Sequence, residues 1–531
     1  MFCNFAEIFK MRLFMLKKTI WLTAFVLCWT MMSCNHQQVD YSLNYTVSFD
    51  TAAHYLNVRL AYTAAQGEGA TDVVLNMPRW APGYYEMLDF AKHLTDFRAT
   101  DAEGQPLPWK KEGLNRWRIA LPVDGTLYAD YRVYANQRDV ASSRVDSAVA
   151  FVAPNGVFMY VDGDQQHPVT VRFEMPQDWK QIATGMRPHP DDSCAFTAPD
   201  FDVLYDSPML LGNFHSEKFA HEGHDYELAL ETPDGAEEAG LAADFRRIVS
   251  AATRLMGDVP YDNYCLIHMG QGQGGLEHFN SQACYTDGTY RFPSRRAHVK
   301  FLAFVAHEYF HLYNVKCIRP AELWPLDYDH EAITPMLWVS EGLTCYYEFR
   351  LLRDAGIATP EESLELLSTY FSLYAPYEGQ QHQSLRQCSY DIWLNFMNPD
   401  GNARDVRINY YFKGPVIGLL MDIDIRRKSS HQHSLDDVMR LLYRRYYKEL
   451  QRGFTEEEFW EACAEVAGEP LTEVRRLVDT TDAIDYDAWL SDAGLRIDST
   501  DWSIRCVEHP NREQHEFLKQ LNLMPTATST K

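Results

Sequence analysis

The hydrophobic period of the chain changes once, and that change limits the fold more than any other feature. From about residue 40 to 230 the period is two: Leu56, Val58, Leu60 and Tyr62 alternate with Asn57, Arg59 and Ala61. Leu127, Ala129, Tyr131 and Val133 alternate in the same way with Tyr128, Asp130 and Arg132. Such runs, broken by turn pairs such as Glu103-Gly104 and Asp162-Gly163, predict an antiparallel, sandwich-like β domain. After Thr232-Pro233-Asp234-Gly235 the spacing turns helical, with Leu241, Phe245, Ile248 and Leu255 on one face, so a boundary is expected near 230. Helical stretches at 435–446 and 456–466 extend this into an all-α region. The 531 residues therefore read as a multidomain α+β protein: a β domain over 40–230, a central domain over 231–370, a helical domain over 371–495 and a tail over 496–531 that frays.

The first 34 residues have a different texture. Lys17-Lys18 precedes an apolar run of 13 residues, 20–32, and then Ser33-Cys34. That run is shorter than the ~20 residues a spanning helix needs, so residues 1–33 read as a signal peptide. Ser33-Cys34 resembles the end of a bacterial lipoprotein signal, which implies an acylated Cys34, a membrane tether and a place in the cell envelope, facing the periplasm or the surface.

Composition excludes several classes. With 46% hydrophobic and 23% charged residues the chain can bury a core, so wholesale disorder is excluded. Its 74 acidic against 49 basic residues leave a net charge of −25, which repels phosphate backbones, and no nucleic-acid partner is expected. Beyond the leader eight cysteines are scattered with no C-x-x-C, which is not the pattern of a disulfide scaffold.

Chemistry enters at His307-Glu308-Tyr309-Phe310-His311, an H-E-x-x-H motif in an apolar helical segment. Helix positions i and i+4 share a face, so both imidazoles can reach one Zn²⁺ while Glu308 stands beside them as general base. With 19 histidines in the chain, chance alone yields such a motif in about one chain in twenty. Catalytic zinc takes a third protein ligand. Glu322, His330, Glu331, Glu341 and Glu348 are the candidates; Glu331 follows His311 after 19 residues, a spacing thermolysin-like enzymes use, and Glu341 after 29.

Trp338-Val339-Ser340-Glu341-Gly342 resembles the W-x-x-E-G segment that carries the third ligand in gluzincin aminopeptidases, which favours Glu341 and leaves Glu331 as a neighbour. Gly272 to His278 resembles the G-x-M-E-N strand of the aminopeptidase N group. That likeness implies that Glu277 binds the free amine of a peptide, with Gly274 and Gly275 lying along the substrate. Tyr410-Tyr411-Phe412-Lys413-Gly414 resembles the Y-x-K-G segment, which implies an oxyanion-stabilising tyrosine at Tyr411, with Tyr410 the alternative. Together with Asn314-Val315-Lys316, Ile318-Arg319-Pro320 and the run from Pro78 to Tyr84, these segments resemble the glycyl aminopeptidase family of gluzincins across roughly residues 40–495.

The resemblance implies a thermolysin-like central domain. It also implies zinc-dependent hydrolysis of the N-terminal peptide bond through His307, His311 and Glu341 as ligands to one ion, with Glu308 as base, and a preference for small residues such as Gly or Ala. Members often end in a PDZ domain, which the residues after 495 are too few to form. Two other readings fit the residues: a zinc endopeptidase in which Glu277 is structural, and a catalytically silent envelope protein that binds a partner.

Overall fold

The computed structural model describes residues 42–63, 71–122, 125–394 and 401–524. The leader, Cys34 and the polar end at 525–531 lie outside the described residues.

The alternating runs become strands in which every second position faces one core. Strand Tyr55–Thr63 pairs antiparallel with Ser42–Asp50 on one side and Thr126–Tyr134 on the other, setting Leu56 opposite Val133, Val58 opposite Tyr131 and Leu60 opposite Ala129. These side chains are buried with Leu43, Tyr45 and Val47, each fully buried aliphatic contributing about 1.5–3 kcal/mol. They belong to a seven-stranded sheet, and two four-stranded sheets complete the N-terminal β region. One pairing departs from the antiparallel rule: Ser42–Asp50 runs parallel to Val169–Glu174.

The expected boundary near 230 falls too late. His215–His221 and His224–Leu230 are strands, like the segments before them, but they open a separate five-stranded sheet in which His224–Leu230 pairs parallel with Asn263–Met269. Alternation reports that a segment is a strand, not which sheet it joins. Asn263–Met269 is buried on both faces and reads as a near-continuous apolar run, as a central parallel strand must. The sheet ends at an antiparallel edge strand, Gly275–His278, paired only with Ser281–Tyr285.

Helices cover this sheet in a thermolysin-like arrangement, and an α-helical region follows. Arg295–Phe310 starts at Ser294, whose hydroxyl accepts from the Ala297 amide, and buries Val299, Leu302, Val305 and Ala306. Leu343–Asp354, Pro360–Tyr374 and Tyr410–Lys428 pack around it. Residues 496–524 are no loose tail. Leu495–Asp498 and Ser503–Cys506 form a hairpin, and helix Arg512–Gln520, held by an Asn511/Gln514 capping box, buries Phe517 and Leu518 in the main core. Two adjacent apolar residues in a polar segment are enough to dock one helix turn, a signal too short to register as a period. No helix among the described residues is long and apolar enough to cross a membrane.

Candidate functional site

Helix Arg295–Phe310 brings His307 and His311 to one face at its C-terminal end, with ring nitrogens Nε2 and Nε2 3.0 Å apart. Each ring is oriented from behind. His307 Nδ1 lies 2.8 Å from Glu348 Oε1, and Tyr370 donates to the other Glu348 oxygen at 2.6 Å. His311 Nδ1 donates to the Asn314 carbonyl at 2.8 Å, while the Asn314 amide holds Val339 O at 2.8 Å and Ser340 O at 3.2 Å. With each Nδ1 engaged from behind, the two Nε2 atoms are the ones that face one another.

Glu341 completes the convergence, its Oε2 3.3 Å from His311 Nε2 and 3.8 Å from His307 Nε2. It is carried by a π-helical turn, Trp338–Gly342, that precedes helix Leu343–Asp354. A π turn inserts a residue into the helical repeat and re-aims the side chains on it. Three buried lone-pair donors of the types zinc takes thus meet at one point, and the residues fit a tetrahedral ion with one open position. Glu331 is exposed and stands outside every cluster of ligating side chains among the described residues.

The electrostatics show how much positive charge this point demands. Burial opposes charge on His311, yet Glu341 and Glu277 outweigh it and push the imidazole up to about 10. Burial likewise opposes ionisation of Glu341, but His311, His307 and the Tyr411 hydroxyl hold the carboxyl below its ordinary range. Glu308 has no such direct pairing: burial, reinforced by Glu277 and Glu341 and resisted by the two histidines, raises it to about 7.

His307 opens onto a cleft of about 620 Å³. Gly275, on the edge strand, lies so close to Glu308 that a β-carbon there would collide with its carboxylate. Two residues along, Glu277 is 4% exposed, its Oε1 has no hydrogen-bond partner, and it lies with Glu308 and His311 in one group of facing ligand atoms. Gly83, from the run Pro78 to Tyr84, covers it; a β-carbon there would sit 2.6 Å from Glu277 Oε1. Gly274, with φ +98°, turns the chain into the strand and lines the cleft.

Tyr411 lines the cleft, its ring centroid 6.4 Å from that of His307, while Tyr410 is buried behind it. The helix bearing both can approach because Gly342 and Gly414 meet backbone to backbone. Seven of the eight residues singled out by motif, His307, Glu308, Glu341, Glu277, Gly274, Gly275 and Tyr411, therefore line one cavity, and the eighth, His311, stands behind its wall with Nε2 3.0 Å from that of His307.

Residues that motif reading does not assign also converge there. Glu348, on helix Leu343–Asp354, stands among the sequence candidates for a third ligand, and the structure makes it instead the partner of His307 Nδ1. Tyr85 is buried beside Glu341 and Glu277. Asp206 has no sequence signal. Coming from the β region, it accepts from the Phe279 amide at 2.9 Å, contacts His278 Nδ1 at 3.0 Å and pairs with Lys316 Nζ at 2.7 Å. It thereby ties the strand bearing Glu277 to the loop that follows His311, and despite burial Lys316 and His278 hold it down at about 2.

Comparison with protein families matches residues 44–213 to the peptidase M61 N-terminal domain and residues 300–417 to the M61 glycyl aminopeptidase, together more than half of the chain. The chain belongs to the M61 glycyl aminopeptidase family. It is a metallopeptidase by that membership. A solved aminopeptidase N family protein from Idiomarina loihiensis is 27% identical over 86% of this chain and 79% of that one, with a TM-score of 0.80. An M1 zinc metallopeptidase from Deinococcus radiodurans shares the fold at 13% identity, covering 84% of this chain and 94% of that one, with a TM-score of 0.52. No curated protein matches.

Proposed function

We propose that the chain is a zinc-dependent aminopeptidase that removes the N-terminal residue of a peptide with a free amine. The observation that carries this is the buried, unpartnered Oε1 of Glu277 at the covered end of the cleft. A buried carboxylate oxygen is costly without a partner, and an ammonium group supplies one by a charge-assisted hydrogen bond. The match to the M61 glycyl aminopeptidase supports a preference for small first residues such as Gly or Ala.

His307, His311 and Glu341 would hold one zinc ion, which when bound supplies Lewis acidity to a water and to the scissile carbonyl. Glu308, raised towards neutrality, takes a proton from the attacking water and returns it to the leaving amine. Tyr411 lines the same cavity beside His307 and donates to the oxygen that gains charge. Glu348 and the Asn314 carbonyl keep the two imidazoles in the tautomer that presents Nε2. We further propose export and lipid anchoring through Cys34, on the leader sequence alone.

The test compares a peptide with its N-acetylated twin, using wild type and Glu277→Ala. Turnover of the free-amine peptide alone, lost in the variant with zinc content unchanged, is expected. Equal cleavage of the acetylated peptide would mean an endopeptidase.

A further inference from the structure

The stripe of helix Arg295–Phe310 that presents His311 and His307 continues to Phe304 and Lys300, three and seven residues before His307, and both line the cleft. Facing them are Leu366 and Leu373 on helix Pro360–Tyr374, with Phe412 beside them. Leu373 is 40% exposed, a large apolar side chain turned to solvent in the wall of a cleft. None of these groups has a part in the bond-breaking step.

The direction of a bound chain is set by the edge strand. Glu277 lies in one group with Glu308 and His311, whereas a β-carbon on Gly275, besides reaching Glu308, would come within 2.8 Å of the Phe304 ring, one turn nearer the start of the helix. Passing from Glu277 to Gly275 therefore passes from the amine end, beside His311, past Glu308 and towards Phe304. A peptide whose amine sits at Glu277 and whose first carbonyl sits at the histidines must send its second and later residues towards Phe304 and then Lys300.

Lys300 is exposed and, among the described residues, has no carboxylate within 4.0 Å, in a chain with 74 acidic residues. Seven residues of helix rise about 10.5 Å, and an extended peptide advances about 3.3 Å per residue. Three residues beyond the scissile bond therefore span the distance, and the lysine stem, reaching back, accommodates two.

We propose that the cleft is built for tri- and tetrapeptides with a free C-terminal carboxylate, with an apolar residue after the scissile bond packed against Phe304, Leu366 and Leu373, and with Lys300 pairing to the carboxylate. A substrate is then held at both ends, ammonium on Glu277 and carboxylate on Lys300. This rests on the aminopeptidase reading of Glu277.

The test is steady-state hydrolysis of Gly-Leu-Gly-Gly as free acid, as C-terminal amide and as the N-acetylated acid, together with Gly-Gly-Gly-Gly, by wild type, Lys300→Met and Lys300→Glu. In wild type the amide is expected to show a KM roughly fivefold above the acid, the size of a solvent-exposed ion pair. Lys300→Met should bring the ratio to about one, and Lys300→Glu should invert it. Leucine in second place should raise kcat/KM roughly tenfold over glycine, for partial burial of its side chain. Equal KM for acid and amide in wild type, or an unchanged ratio in Lys300→Met, overturns the proposal, provided the acetylated peptide is inert. Cleavage of the acetylated peptide at the wild-type rate removes the aminopeptidase reading, and this proposal falls with it.

Discussion

A single methyl group added at Gly342 should disable turnover while leaving the protein folded. Gly342 ends the π turn that carries Glu341 and has φ −67° and ψ −40°, a conformation alanine adopts freely, so Gly342→Ala introduces no backbone strain. Its β-carbon, however, would sit 2.6 Å from Gly414 Cα and 3.0 Å from the Tyr410 carbonyl oxygen. Carbon atoms in contact need about 3.5 Å, so the helix bearing Tyr411 must retreat from the turn bearing Glu341 by roughly 1 Å. Overpacking of this kind costs about 1–3 kcal/mol, partly offset by the ~1 kcal/mol that alanine gains over glycine in a helix. Misplacement of a reacting group by roughly 1 Å costs on the order of 100-fold in rate. Activity should thus fall far more than stability. The assay is kcat/KM on a glycyl arylamide, read beside zinc content and the unfolding midpoint. Wild-type kcat/KM in a zinc-replete variant would refute the argument that this glycine contact sets the spacing of Tyr411 and Glu341.

The same geometry sets other outcomes. Glu308→Gln should retain stoichiometric zinc, since Glu308 is no ligand, while kcat falls by about 10²–10⁴, measured by metal analysis and single-substrate kinetics. Zinc binding at pH 8 should release about one proton, because His311 is held up to about 10 by Glu341 and Glu277 and is protonated in the metal-free site, whereas Glu308, at about 7, is already ionised there. Below pH 10 affinity should then rise roughly tenfold per pH unit. Calorimetry in buffers of different ionisation heat measures the proton count, and a buffer-independent heat would show that His311 is neutral without metal. Asp206→Asn should leave Lys316 without its carboxylate and loosen the strand end at Phe279, costing roughly 2 kcal/mol of stability and raising KM for free-amine peptides more than it lowers kcat. Because Asp206 is held down at about 2, below its ordinary range, its contribution in wild type is complete above about pH 4 and fades as pH falls towards 2. A pH-unfolding series on both proteins would reveal an Asp206 without that role as identical acid limbs.

Legibility in the sequence was local. His307, Glu308 and His311 lie within five residues on one helix, so a single period places them. Strand alternation likewise reveals the β region, because each side chain reports its own face. Grouping by strand character alone puts the strands at 215–230 in the wrong sheet: only the parallel partner Asn263–Met269, some 40 residues on, decides where they belong. Glu341 needs a resemblance, since a π turn breaks the repeat by which its direction could be counted.

The groups that sequence could not supply are those whose meaning is a distance between segments. Asp206 is 72 residues from His278, and no pattern in either segment points to the other. Yet it is one of the contacts through which the β region reaches the strand that carries Glu277. Gly83 works in the same way from a second point, covering Glu277 from a turn nearly 200 residues away. The β region is therefore part of the site: it supplies the cover over the proposed amine subsite and the anchor beneath it. Residues on that side of the cleft should alter recognition of a peptide's first residue, and those on helix Pro360–Tyr374 recognition of its second and third. A cleft whose two ends are built by different parts of the fold can change preference at one end without disturbing the histidines between them.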